Sequence, residues 1–153
     1  MPKSFVTRAL ALVILAGLAA CQPASRDAGP APGTPGADAL PYADSDAGWA
    51  MLDQFRDVLG GGVVDAMLSS QDQRHFRNAA GEALESRPEG GRTSWYNPLS
   101  GNGGQFNVNS VFRGPDGRPC KRLTQKVMAG GQAHVIQSIA CKAGSGTWGG
   151  LED

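Results

Sequence analysis

The chain has 153 residues, equal numbers of basic (14 Lys+Arg) and acidic (14 Asp+Glu) side chains, 7% aromatic residues and three cysteines. That length holds one small domain rather than several, and the neutral balance lacks the basic excess of a nucleic-acid-binding protein. Without Lys3 and Arg8 at the N-terminal end the net charge falls to about −2, so nucleic acid is not expected as a partner.

Lys3 and Arg8 form a short basic lead to an apolar run from Ala9 to Ala20. Such a run reaches only about 18 Å as a helix, against roughly 30 Å of bilayer hydrocarbon, so it reads as a signal peptide over residues 1–20 and not as a span. Its end, Leu18-Ala19-Ala20-Cys21, resembles a bacterial lipobox. The resemblance implies lipid on Cys21, with several acyl chains giving stable membrane anchoring. The alternative is an ordinary signal peptide followed by a chance cysteine. Gln22 in place of an aspartate implies, by the sorting pattern of such lipoproteins, the outer membrane and its periplasmic face.

Residues 21–43 comprise the lipidated cysteine and a Pro/Ala/Gly tether, with Pro23, Pro30, Pro32, Pro35 and Pro41 spread along it. Too little apolar surface is present there to offset the entropy of ordering, so a disordered tether is expected. A helical segment follows over 44–92. Trp49, Leu52, Phe55 and Leu59 share a face at helical spacing, and Gly60-Gly61-Gly62 breaks that pattern. Ser69 or Ser70 caps a second helix, Ser70 with Gln73 fitting a capping box, and Phe76, Ala79, Ala80, Ala83 and Leu84 form its stripe up to Pro88.

Beyond Arg92 the period changes to strands, giving a β domain over 93–153. Thr93–Asn97, Gln105–Arg113, Arg118–Ala129 and Gln132–Lys142 read as strands, and Thr147-Trp148 as a closing one. Pro98–Gly104, Gly114-Pro115-Asp116-Gly117, Gly130-Gly131 and Gly144–Gly146 carry turn chemistry. Short turns join antiparallel neighbours, so the expected fold is α+β: a four- to five-stranded antiparallel meander with one or two packed helices.

The stretch Trp95-Tyr96-Asn97-Pro98-Leu99-Ser100-Gly101-Asn102-Gly103-Gly104 is the most distinctive in the chain. With Pro119-Cys120-Lys121, Gly130-Gly131, Ala140-Cys141 and Trp148 after it, it resembles the C-terminal domain of the rickettsial 17-kilodalton surface antigen family of outer-membrane lipoproteins, over about residues 68–148. The family pattern carries no enzymatic mechanism to transfer. Members have a longer glycine-zipper segment upstream, of which only residues 60–68 remain here, and nine residues containing Asp65 are too short and too polar to span a bilayer. Aromatic residues of the family's central hairpin are replaced by Leu123 and Gln137.

With Cys21 committed to lipid, Cys120 and Cys141 remain as a pair for an oxidising compartment. A two-residue Gly130-Gly131 loop pairs Ala129 with Gln132, and counting outward sets Cys120 directly opposite Cys141 on a non-hydrogen-bonded position, where α-carbons about 4.5 Å apart permit a disulfide. Two buried reduced thiols are the alternative. His75 and His134 lack neighbours at metal-ligand spacing, and a solvated or hydrogen-bonded histidine is the ordinary reading of each. No nucleophile elbow, phosphate loop or carboxylate pair stands out, so no catalytic residue, metal or cofactor is expected and the chain is read as a non-enzyme.

Residues 22–92 hold 6 basic and 11 acidic groups, residues 93–142 hold 6 basic groups and only Asp116. Arg118, Lys121, Arg122 and Lys126, with Arg113 and Lys142, would form a basic face for an anionic lipid or an acidic envelope protein, with Trp95 and Tyr96 as further candidate contacts. Two solvated surfaces or a core role for the aromatics are the plainer alternatives. These readings imply a noncatalytic outer-membrane lipoprotein that supports envelope integrity or assembly; a lipid-anchored periplasmic binding or hydrolase-inhibitor module is the second possibility.

Overall fold

Ser45 opens the first helix by accepting the Gly48 N–H on its hydroxyl at 3.1 Å, which satisfies one free donor of the helix start. The computed structural model describes residues 39–150. Helix α1 spans Asp46–Leu59, α2 Gly61–Met67 and α3 Ser70–Ser86; strands β1 to β5 span Arg92–Tyr96, Gly103–Arg113, Pro119–Ala129, Gln132–Lys142 and Trp148–Gly150. The strands make one antiparallel sheet in the order β1-β2-β3-β4-β5, the α+β meander that the turn chemistry predicts. The signal peptide, Cys21 and residues 22–38 of the expected tether lie outside the described residues.

The folded part starts before residue 44. Ala43 is buried, its carbonyl accepts from Arg77 Nε at 2.6 Å, and the Tyr42 N–H donates to Asn78 at 2.9 Å. The last residues assigned to the tether are thus bonded to α3, because α3 offers polar partners that composition alone does not reveal.

Leu52 and Phe55 of α1 are buried as their spacing predicts, whereas Trp49 remains 41% exposed, with the Arg77 guanidinium stacked 3.8 Å from its ring centroid. Gly60 ends α1, but Gly61 and Gly62 start α2 instead of a loop. Glycine disfavours helix by about 1 kcal/mol; burial of Val64 and Leu68 supplies the tertiary packing that outweighs this propensity over so short a helix. The capping box of α3 is Ser69 with Asp72, not Ser70 with Gln73. Gln73 instead donates to the Leu68 carbonyl at 3.0 Å.

Phe76 sits at the centre of the core, 5.4 Å from Phe55, 5.0 Å from Phe106 and 6.3 Å from Trp95 between ring centroids. The edge-on contacts with Phe106 and Trp95 add to the burial itself. The cluster joins α1 and α3 to one face of the sheet, while among the described residues no helix covers the other. Between Val108 and Ser110 the β2–β3 register shifts by one residue, and Asn109 at this bulge donates to Thr124 Oγ1 at 2.7 Å.

Gly130 and Gly131, both at positive φ (57° and 78°), make the two-residue loop whose twist suits a hairpin. Ala129 pairs with Gln132 and Cys120 with Cys141, as the counting predicts. The cysteines form a disulfide with a Cα–Cα distance of 4.0 Å.

Candidate partner-binding face of the sheet

The Trp95–Gly104 stretch folds around one carboxylate. Asp72, at the start of α3, is fully buried. Its Oδ1 accepts from Asn97 Nδ2 at 2.7 Å and Ser100 Oγ at 2.6 Å; its Oδ2 accepts from Asn102 Nδ2 at 3.0 Å and from the Ser69 N–H and hydroxyl at 2.9 and 2.8 Å. Burial by itself would raise the Asp72 pKa, but the hydrogen bonds from Ser100, Asn97, Ser69 and Asn102 more than offset it and hold the carboxyl below its ordinary 3.8. Asn102 also donates to the Met67 carbonyl and accepts the Gly130 N–H, which ties the β1–β2 loop to the end of α2 and to the β3–β4 turn. The asparagines and serine of the motif therefore brace the loop. Asp72 is the member that sequence reading missed. Its signal was the Ser69-x-x-Asp72 spacing at a helix start.

Strand alternation divides the six predicted partner-binding residues. Trp95 points to the helices and is 7% exposed; a Cβ on the opposing Gly104 would fall 2.6 Å from its Nε1, so glycine is needed there. Lys121 shares the inner face with Leu123 and Val127. Its ammonium donates to the carbonyls of Ala83, Leu84 and Arg87 at 3.2, 2.6 and 2.7 Å, supplying positive charge at the C-terminal end of α3. Burial lowers its pKa, Glu85 partly opposes this and Lys142 adds to it. Arg118 lies in the β2–β3 turn, paired with Asp116 at 2.6 Å. Lys142 is engaged by Glu85 at 2.9 Å, and Glu85 also accepts from Trp148 Nε1 at 2.8 Å. The expected single basic face is thus split, because neighbouring residues of a strand point to opposite sides.

Tyr96, Arg122 and Lys126 remain together on the uncovered side. Register places Tyr96, Gly103, Met128 and Ala133 in one row, Ser94, Gln105, Lys126 and Val135 in the next, Arg92, Asn107, Thr124 and Gln137 in a third, and Ser110, Arg122 and Ile139 in a fourth. This face carries three cations, Arg92, Arg122 and Lys126, and no carboxylate in those rows. Tyr96 (62%), Val135 (59%) and Met128 (40%) are its exposed apolar members. Tyr96, Gly103, Lys126 and Met128 help to line a shallow cleft of about 430 Å³. The Arg122 guanidinium lies 5.6 Å from the Phe112 ring centroid.

Among the described residues no group of three or more His, Cys, Asp or Glu side chains is placed to hold a metal, and no helix is long and apolar enough to cross a membrane. His134 is half-buried, and its Nε2 has no hydrogen-bond partner among the described residues.

A helix layer on one face of a disulfide-linked antiparallel meander, with a basic opposite face that no other described element covers, defines a small α+β domain. Residues 82–149 match the family model described as 17 kDa outer membrane surface antigen. The 17 kDa surface antigen of Rickettsia australis is 34% identical over 81 residues, covering 53% of this chain and 53% of that protein. Over this domain the chain is similar to the 17 kDa surface antigen family, as its Trp95–Gly104 motif implies. It spans about half the length of the curated relative it matches. No solved structure matches it.

Proposed function

We propose that this chain is a noncatalytic surface-antigen-type lipoprotein of the outer membrane, held by lipid on Cys21, that supports envelope integrity or assembly by presenting the open face of its sheet to an acidic protein surface or anionic lipid of the envelope. The supporting observation is the grouping of Arg92, Arg122 and Lys126 with exposed Tyr96, Met128 and Val135 on a face without carboxylates in its paired rows. Cations beside an exposed apolar patch favour an anionic partner and steer its approach. The family match and the relative's name support the envelope setting.

A deletion strain complemented with an Arg122→Glu, Lys126→Glu double variant tests this reading. Leakiness or altered outer-membrane protein levels that wild type rescues and the double variant does not is the expected result. Full rescue by the double variant would remove the face from the account, and sensitivity to one particular hydrolase would favour an inhibitor module. Cys21→Ser should abolish metabolic palmitate labelling, and labelling that persists would refute the lipid anchor.

A further inference from the structure

We propose that the groove between α1 and the free edge of β4 takes an extended, lysine- or arginine-bearing segment of another protein, added as a strand beside β4. Strand β5 pairs only with Ala140, Cys141 and Lys142, although β4 reaches back to Gln132. Counting from the Ala129–Gln132 pair, Gln132, His134, Ile136 and Ser138 direct their backbone groups to β3, and Ala133, Val135 and Gln137 direct theirs to the far side. Residues of the same parity further along are engaged on that side: the Ala143 N–H donates to the Thr147 carbonyl, and the Ile139 carbonyl accepts from Gln54 Nε2 at 3.2 Å. Ala133, Val135 and Gln137 have no backbone partner there among the described residues. Sheets usually blunt such an edge with proline, lysine or a bulge, and Ala133–Ile139 contains no proline or lysine.

The far wall of the groove names the chemistry of the occupant. One stripe of α1, Asp46, Trp49, Asp53, Gln54 and Asp57, faces Gln137–Ile139 across a space of about 830 Å³ that ends at β5, and among the described residues no Lys or Arg lines it. Arg56 reaches Asp53 only at 4.0 Å because it is held by Asp65 at 2.7 Å. Asp53 and Asp57 are one helical turn apart, about 6 Å along the axis, close to the roughly 6.7 Å between alternate residues of a strand. A segment with a cation at every second position therefore meets the carboxylates while its backbone continues the sheet. A second copy of this chain fits poorly, since joining two β4 edges would bring two such acidic stripes together. The site uses the backbone edge of Val135 and Gln137, whose side chains belong to the open face, and its charged side chains, on α1, are of opposite sign, so the loss of either set of charges leaves the other in place.

The test uses the full chain in detergent with a capped seven-residue peptide alternating Lys and Thr, its Glu-Thr counterpart, and hydrogen exchange as readout. The Lys-Thr peptide should slow exchange at Ala133, Val135 and Gln137 at least tenfold, and the Glu-Thr peptide should not. Asp53→Asn with Asp57→Asn should weaken binding at least tenfold, and Gln137→Pro, which removes an edge-facing N–H and no β3 bond, should abolish it. Equal binding of both peptides, or no protection at these amides, would overturn the proposal. Should Gln137→Pro fail to fold, the protection pattern on the unaltered chain decides. Binding only to a chain shortened to end at Gly150 would mean that residues 151–153 occupy the edge themselves, which also overturns it.

Discussion

On the helix-covered face of the sheet the lysines are tied down, Lys121 by carbonyls of α3 and its connection to β1, and Lys142 by Glu85. On the open face Arg92, Arg122 and Lys126 have no carboxylate partner among the described residues, and Tyr96, Met128 and Val135 stand exposed beside them. The two faces draw on the same strands, often on adjacent residues, yet one set of side chains holds the fold and the other is available for contact. Chemical type alone does not separate the two roles; strand parity does.

The sharpest way to break this comparison is to truncate two neighbours. Trp95→Ala should cost about 3–5 kcal/mol of stability, as for a large core aromatic, while Tyr96→Ala should stay within about 0.5 kcal/mol; urea unfolding measures both. Similar losses from the two would contradict the assignment of faces.

Asp72→Ala comes next, with an expected cost of about 3 kcal/mol because Asn97, Ser100 and Asn102 lose their common acceptor. The same carboxylate sets a pH dependence. Its folded pKa lies below the ordinary 3.8, so its contribution is present above about pH 3.8 and is lost as the pH falls through the lower, folded value. The acid-induced fall in stability below that pH should therefore be shallower in Asp72→Asn, measured by unfolding across the acidic range. Identical pH profiles would remove Asp72 from this role.

Removing the Cys120–Cys141 bridge with a double alanine variant should cost roughly 3 kcal/mol by the chain-entropy argument for a loop of this size. Mass spectrometry of unreduced protein should find the two peptides linked. Lys121→Met should lose about 1 kcal/mol through the C-terminal charge of α3, whereas Arg122→Met should leave the unfolding midpoint unchanged. If Arg122→Met were the more destabilising, the split of the basic cluster would be wrong.

Much of the sheet was legible in the sequence because its information is local. Turn glycines bound each strand, and the Gly130-Gly131 loop alone fixes the register that brings Cys120 and Cys141 together. The division of Lys121 from Arg122 was also legible in principle, since Lys121 alternates with Leu123 and Val127 while Arg122 alternates with Lys126. Helix α2 was hidden because three glycines argue for a loop, and only the burial of Val64 and Leu68 against the rest of the domain overrides them. Asp72 was hidden for a similar reason: its donors lie 25 to 30 positions away in the chain, and no short-range pattern announces that a capping residue also accepts from a distant loop.

The most direct test of the division between faces is photo-crosslinking in the living cell, with the crosslinking residue placed at Ser94, Arg122 or Lys126 on the open face and at Arg74 on α3 as the control. The account predicts one reproducible envelope product from the three sheet positions and none from Arg74. Products of equal yield from Arg74, or none from the open face, would contradict it.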